Sequence, residues 1–316
     1  MSQIAPDTTK SGLDEIFFQG YEMEKQPGEV RADDPLFFRQ KNTTWGTDQY
    51  AESQGPGDYN VTQEDEDVEE ATVRVGNKTS RDILEFDRDV PISQRYQEDS
   101  EHYGTVDSWV EDLGVRGRTT RDKYAFRNTY ANPFDATGNP TPDGAAMGSN
   151  SHTLLSGDTQ DNLETGAATP DNVAIGVRRL RLQKAQDGDL ASFHADGILG
   201  PVQLHPTLCE ITKSELKSQT PDNDLNYWSM LYPGLKIGAS EYLDSDFNTL
   251  NANANTTFFI VSKMHKITRS IRKPLSVDYV EPKYDRRRRA FYRARFREVT
   301  YPGTSTGFVV HDGTTA

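Results

Sequence analysis

Ile83–Phe134, ILEFDRDVPISQRYQEDSEHYGTVDSWVEDLGVRGRTTRDKYAFRNTYANPF, is the stretch on which the fold turns. A short strand, Ile83–Phe86, leads through Val90, Pro91, Ile92 and Ser93 into two successive helical patterns. In the second, Val106, Trp109, Val110, Leu113, Gly117, Thr120 and Tyr124 recur three or four positions apart. They lay a narrow apolar stripe along a helix otherwise covered by Asp, Glu and Arg. Thr105 is placed to cap its start, Asp107 and Glu111 suit the positive end of its dipole, and Asn132-Pro133 ends it. So long a helix with so thin a stripe reads as a rod rather than a core helix. It needs partners beyond its own compact domain, and the chain therefore reads as a piece of an assembly.

The composition sets limits on function. In 316 residues, 34% of them hydrophobic, 35 Lys plus Arg face 49 Asp plus Glu, for a net charge of -14. That balance argues against a protein that wraps nucleic acid through a generally basic surface, although local basic patches remain. The N-terminal Met1–Pro6 has neither a positive region nor an apolar run, and no stretch approaches the roughly 18 apolar residues of a membrane span. A soluble protein with no membrane partner is predicted. Cys209 is the single cysteine, so no intrachain disulfide and no multi-cysteine zinc site forms, and a reducing compartment fits.

Along the chain, residues 1–43 read as an extended arm, with Phe17, Phe18, Tyr21, Phe37 and Phe38 scattered among charges and breakers. Residues 44–80 read as a long hairpin projecting from the body, with strand features at Gln49–Glu52 and Ala71–Val75. It carries the acid run Glu64, Asp65, Glu66, Asp67, Glu69 and Glu70. That run lacks the alternating spacing and glycine of a calcium loop and reads as a solvated or partner-facing strand. Pro133–Thr169 reads as a long loop between lobes. Thr169-Pro170-Asp171 then opens a helix with Val173, Val177 and Leu180 inward. Strands at Ile198–Leu204, Leu235–Ile237 and Thr257–Val261, with a helix from Pro206, make a mixed α/β lobe. The last part holds a strand near Leu275–Val280, a basic turn with Arg286, Arg287, Arg288 and Arg289, and a long strand Phe291–Tyr301. In that strand Tyr292, Ala294 and Phe296 alternate with Arg293, Arg295 and Arg297, giving one apolar and one cationic face. A short strand, Gly307–Val310, closes the chain.

Catalytic signatures are absent: no phosphate loop, dinucleotide fingerprint, Gly-x-Ser-x-Gly elbow or His-Glu-x-x-His pair occurs. Glu98 and His102 lie four apart but lack a third metal ligand. His194 and His205 could meet Asp189 or Asp196 only through folding, and Cys209 sits on an apolar face between Leu208 and Ile211. No enzyme activity, metal or cofactor is predicted.

The order of segments, together with three local patterns, resembles the tailed-bacteriophage major capsid proteins of the Hong Kong 97 type. The patterns are Phe86–Ser100, Thr119–Tyr124 and the Arg-rich strand Phe291–Tyr301. The resemblance implies an α+β fold with an N-terminal arm (1–43), an extended β-hairpin loop (44–80), a peripheral domain with a long spine helix (81–135), an axial α/β domain (136–263) and return strands of the peripheral domain (264–316). It implies a structural protein of the virion, assembled in the host bacterial cytoplasm into pentamers and hexamers of an icosahedral or prolate head around double-stranded DNA held by non-specific contact. Scaffolding and portal proteins are implied partners, with a decoration protein left open. The family's long cleavable N-terminal scaffold segment has no counterpart here, so a separate scaffolding protein or none is expected. No catalytic residue and no crosslinking Lys–Asn pair carries over. The acid run Glu64–Glu70 of one subunit is expected near Arg286–Arg289, or near the Arg293, Arg295 and Arg297 face, of another. Two other readings stand beside this one: an encapsulin-like nanocompartment shell of the same fold, and an unrecognised α/β enzyme built around His194 or His205.

Overall fold

The computed structural model describes residues 10–55, 73–93, 103–214, 226–280 and 289–314. Two sheets organise them. The first has four strands in the order β1 (Arg39–Asn42), β11 (Ile267–Val280), β12 (Arg289–Pro302) and β4 (Leu84–Ser93), where the intervening numbers belong to the strands below. Strand β12 buries Tyr292, Ala294 and Phe296, as its period-two alternation predicts. Strand β4 is longer than the predicted Ile83–Phe86. It runs on through Val90, Pro91 and Ile92, paired residue by residue with β12. Pro91 is tolerated because β4 is an edge strand, where a missing N–H costs no ladder bond.

The helices α1 (Lys10–Tyr21) and α2 (Tyr103–Arg127) pack over this sheet, burying Leu13, Phe17, Val106, Val110 and Leu113 with Ile92 and Tyr292. Here the structure corrects two expectations. Residues 10–43 are not an extended arm: they fold back on their own chain, with Phe17, Phe37 and Phe38 fully buried. The aromatics that looked scattered are spaced to meet different partners, so no local period announces them. Nor is α2 only a rod, since its last turns enter the core. Ala125 and Phe126 are buried, Phe126 meets Phe38 edge-on at 5.1 Å, and the buried Asp122 carboxylate accepts from the Ala32 N–H at 2.9 Å. The helix stops at Arg127, before Asn132-Pro133, and Thr120 from the predicted stripe is exposed.

The second sheet has five strands in the order β7 (Leu163–Glu164), β13 (Phe308–His311), β10 (Phe258–Val261), β8 (Gly197–Pro201) and β9 (Lys236–Ser240). The closing strand β13 thus leaves the segment read as peripheral return strands and pairs with β10. Phe258 and Ile260 point into a cluster with Val177 and Leu180 of α3 (Pro170–Arg181) and Leu208 and Ile211 of α4 (His205–Lys213). Phe259 and Val261 point the other way, toward Phe37, Phe126 and Tyr130. Thr169 caps α3 as predicted, its hydroxyl accepting from the Asn172 N–H at 3.2 Å. A short fifth helix, α5 (Tyr227–Leu231), lies against α4.

Strands β2 (Thr47–Ser53) and β3 (Val75–Asp82) form the described base of the hairpin, and β5 (His152–Thr153) pairs with β6 (Thr159–Gln160). The second strand of the hairpin runs Val75–Asp82, C-terminal to the expected Ala71–Val75, of which residues 71 and 72 lie outside the described residues. The base lies on the body: a Cβ at Gly76 would fall 2.1 Å from the Leu155 side chain. The long loop Pro133–Thr169 is ordered by buried polar groups. Asn162 Nδ2 donates to the carbonyls of Met147 (2.9 Å) and Ser305 (3.1 Å), and its Oδ1 accepts from the Ser149 N–H at 2.9 Å.

Candidate assembly surface

Antiparallel register decides what the arginine face of β12 meets. Arg293 lies opposite Asp89, and Arg297 opposite Glu85. Arg293 grips Asp89 with two parallel bonds, Nε to Oδ1 at 2.7 Å and Nη2 to Oδ2 at 2.8 Å. Arg297 bonds Glu85, and Arg295 reaches Asp278 of β11 at 3.3 Å. The Arg293 hydrogen bond holds the Asp89 carboxyl below its ordinary range, and the Arg297 hydrogen bond does the same for Glu85. Such solvent-screened cross-strand pairs contribute little stability one by one, and what they do is offset the charge of the arginine face from within the chain. The face predicted to be cationic is therefore a ladder of mixed charge, with each guanidinium matched inside its own chain. Glu64–Glu70 and Arg286–Arg288 lie outside the described residues, as do Glu98 and His102, and Arg289 opens β12 opposite Ser93.

Between β4 and α2 runs an open groove of about 1100 Å³. Phe86, Val90, Leu113 and Phe296 line its floor, and Asp87, Arg88, Asp112 and Arg116 its margins. An apolar floor with charged edges suits an extended polypeptide segment better than a small polar substrate.

The hairpin base is fixed by two buried carboxylates that sequence reasoning missed. Asp48 Oδ2 accepts from Tyr301 Oη at 2.6 Å and from Ser270 Oγ, and its Oδ1 accepts from Lys41 Nζ at 2.6 Å. Burial alone would raise this carboxyl, but those bonds more than offset it and hold it low. Glu52 is different. Burial pushes it up to about 7, with the nearby Asp143 charge adding to the effect. Its Oε1 accepts from Gln186 Nε2 at 3.0 Å, while Oε2 has no hydrogen-bond partner among the described residues. Asp143 is itself paired with His152 Nδ1 at 2.8 Å. Neither Asp48 nor Glu52 stands in a motif; the alternation of β2, which buries Asp48 and Glu52, was the only available signal.

The groups singled out for catalysis do not converge. His205 Nε2 lies 3.6 Å from Cys209 Sγ, one helical turn away, with no carboxylate bonded to either among the described residues. His194 is exposed, and Asp196 accepts from the Lys263 N–H at 2.8 Å. No group of three or more His, Cys, Asp or Glu among the described residues could hold a metal ion. No helix among them is long and apolar enough to cross a membrane.

Two sheets bridged by one long helix, with a hairpin at the junction, make an α+β fold of the Hong Kong 97-like kind, and solved structures share that fold over 92–95% of the chain. The virus-like particle from Pyrococcus furiosus is similar at a TM-score of 0.54 and 9% identity, over 95% of this chain and 97% of that one. The capsid of an empty GTA particle gives a TM-score of 0.53 and 13% identity over 95% and 97%. The holo-SrpI encapsulin complex from Synechococcus elongatus PCC 7942 gives 0.50 and 12% over 92% of each chain. No family model matches the sequence, and no curated protein is significantly similar to it.

Proposed function

We propose that this chain is a major capsid protein of a tailed bacteriophage, forming pentamers and hexamers of an icosahedral or prolate head around double-stranded DNA. The observation that carries the reading is the shell-protein fold, matched over nearly the full length of both chains. Head-to-tail contacts between different patches close into rings, and a subunit held by several neighbours leaves only when all contacts fail together. In this reading the protein resides in the virion, is assembled in the host cytoplasm, and works with scaffolding and portal proteins. The two sheets correspond to the peripheral and axial domains, and the groove along α2 takes an extended segment of a neighbour.

Because Arg293, Arg295 and Arg297 have partners in their own chain, the proposed contact for the acid run Glu64–Glu70 narrows to Arg286–Arg289 of an adjacent subunit. Reversing the acid run should block assembly, and reversing both patches should partly restore it. Absence of rescue would remove this contact from the proposal.

The likeness to an encapsulin supports a second reading, a nanocompartment shell. Expression of the chain, light scattering and negative-stain electron microscopy test both: closed particles or rings of five and six are expected, and a strictly monomeric protein with or without its scaffold would overturn both. Particles from the native source that protect DNA from nuclease favour the head; particles filled with one protein cargo favour the compartment.

A further inference from the structure

Strand β10 divides two faces of the five-stranded sheet, and each face carries one conspicuous exposed feature. On the side of α3, an open cleft of about 720 Å³ lies between α3 and α5. Its rim holds Leu182, Leu190, Tyr227 and Leu231, each more than half exposed. Arg178 and Arg181 stand beside it, and neither has an ion-pair partner among the described residues. Contiguous exposed apolar surface of this kind marks an interaction site.

On the opposite face, after Leu243 enters the cluster of Phe37 and Phe126, the loop 244–250 lifts Phe247 into solvent at 67% exposure, with Leu250 close behind. Asp246 is exposed next to it and Asp244 half-buried. The loop is held in shape. The N–H groups of Phe247 and Asn248 both donate to the Asp244 carbonyl, at 3.0 and 2.7 Å, and Asn248 Nδ2 donates to the Ala131 carbonyl at 2.8 Å. A preorganised aromatic knob loses little entropy on docking.

We propose that Phe247 and Leu250 of one copy seat in the cleft beside Arg178 and Arg181 of the next copy around a ring. Three observations select a second copy over another occupant. The knob is apolar beside carboxylates, and the hole is apolar beside guanidiniums, so apolar surface meets apolar surface and the flanking charges are complementary. The two lie on opposite faces of one lobe, the arrangement a head-to-tail contact needs to close a ring and one a two-fold dimer cannot use. The fold, finally, is that of proteins that form shells. The contact rests on the shell reading and adds to it which surfaces of the axial lobe meet.

The test uses the full chain with Cys209→Ser, Leu190→Cys and Phe247→Cys, assembled, oxidised mildly and run without reductant. A ladder of covalent multimers is expected, absent from either single-cysteine variant. Particles without a ladder overturn the contact and leave the shell reading standing. A wild-type chain that forms no particle, with or without its scaffold, overturns both. If the double variant alone fails to assemble, hydrogen exchange on wild-type particles decides. Amides of 244–250 and 227–231 should both slow by on the order of tenfold relative to free subunits. Unchanged exchange, or protection of the cleft alone, which would put a different chain there, refutes the proposal.

Discussion

Arg269 and Glu298 form an ion pair sealed inside the four-stranded sheet, with side chains only 4% and 2% exposed. Arg269 Nε donates to Glu298 Oε2 at 3.0 Å, and its Nη1 donates to the Ala32 carbonyl at 3.3 Å, tying residues 28–38 to the sheet. Removing one partner leaves the other charge buried and uncompensated, whereas replacing both with apolar groups removes the problem. Glu298→Ala should cost about 3–5 kcal/mol in urea unfolding of the free subunit. Arg269→Met with Glu298→Leu should recover most of that loss, and a double variant as unstable as the single one would show that the pair is not the cause.

Gly114 and Gly20 let α1 and α2 touch backbone to backbone. A Cβ at Gly114 would fall 2.1 Å from the Phe17 carbonyl oxygen, and one at Gly20 would fall 2.4 Å from that of Glu111. In an open helix Gly→Ala gains up to about 1 kcal/mol. Here the sign inverts, because neither carbonyl can yield without moving its helix. Gly114→Ala should lower stability by about 1–3 kcal/mol and speed proteolysis within α1. A raised Tm would contradict the close crossing.

His265 and His311 are buried neutral imidazoles. Burial lowers each to about 4. His265 Nε2 donates to the Leu36 carbonyl at 2.7 Å while Nδ1 accepts from the Ile267 N–H at 3.0 Å, so protonation at Nδ1 breaks the second bond. His311 stacks on Phe258 at 4.2 Å and has no hydrogen-bond partner among the described residues. Between pH 6.5 and about 4 the unfolded chain binds more protons than the folded one, so stability falls as the pH drops through that window. The loss approaches about 3 kcal/mol per histidine at its upper bound. His311→Leu should flatten its share of the slope in urea titrations at pH 7, 5.5 and 4.5, and an unaltered slope would count against it.

Glu52 titrates in the opposite sense. Its carboxyl is raised to about 7 by burial, so between pH 4.5 and 7 the folded chain holds the extra proton and stability declines as the pH rises through about 7. Glu52→Gln keeps an oxygen for Gln186 and removes the charge. It should stabilise the protein at pH 8 and change little at pH 5. Equal effects at both pH values would contradict a raised carboxyl.

What the sequence by itself determined lies within one period of the chain. The cap and inward face of α3 (Thr169, Val173, Val177, Leu180) and the alternation of β12 follow from residues two to four positions apart, and β10 and β8 from short apolar runs, although β8 ends at Pro201 and Val202–Leu204, expected to continue it, turn into a 3-10 helix. That spacing sets which side chains share a face whatever the rest of the chain does. Tertiary structure decided what no period encodes. Phe37 and Phe38 became core only because α2 and β10 arrived to cover them, and β13 joined β10 rather than its neighbour β12. Arg293 found Asp89, more than two hundred residues away, through strand register, which fixes opposite pairs once two strands meet and leaves no trace in either strand alone. Glu52 and Asp48 likewise took on opposite ionisation behaviour on one strand. Hydrogen bonds from Lys41, Ser270 and Tyr301 surround one carboxylate, while the other faces Asp143, a difference made wholly by distant segments.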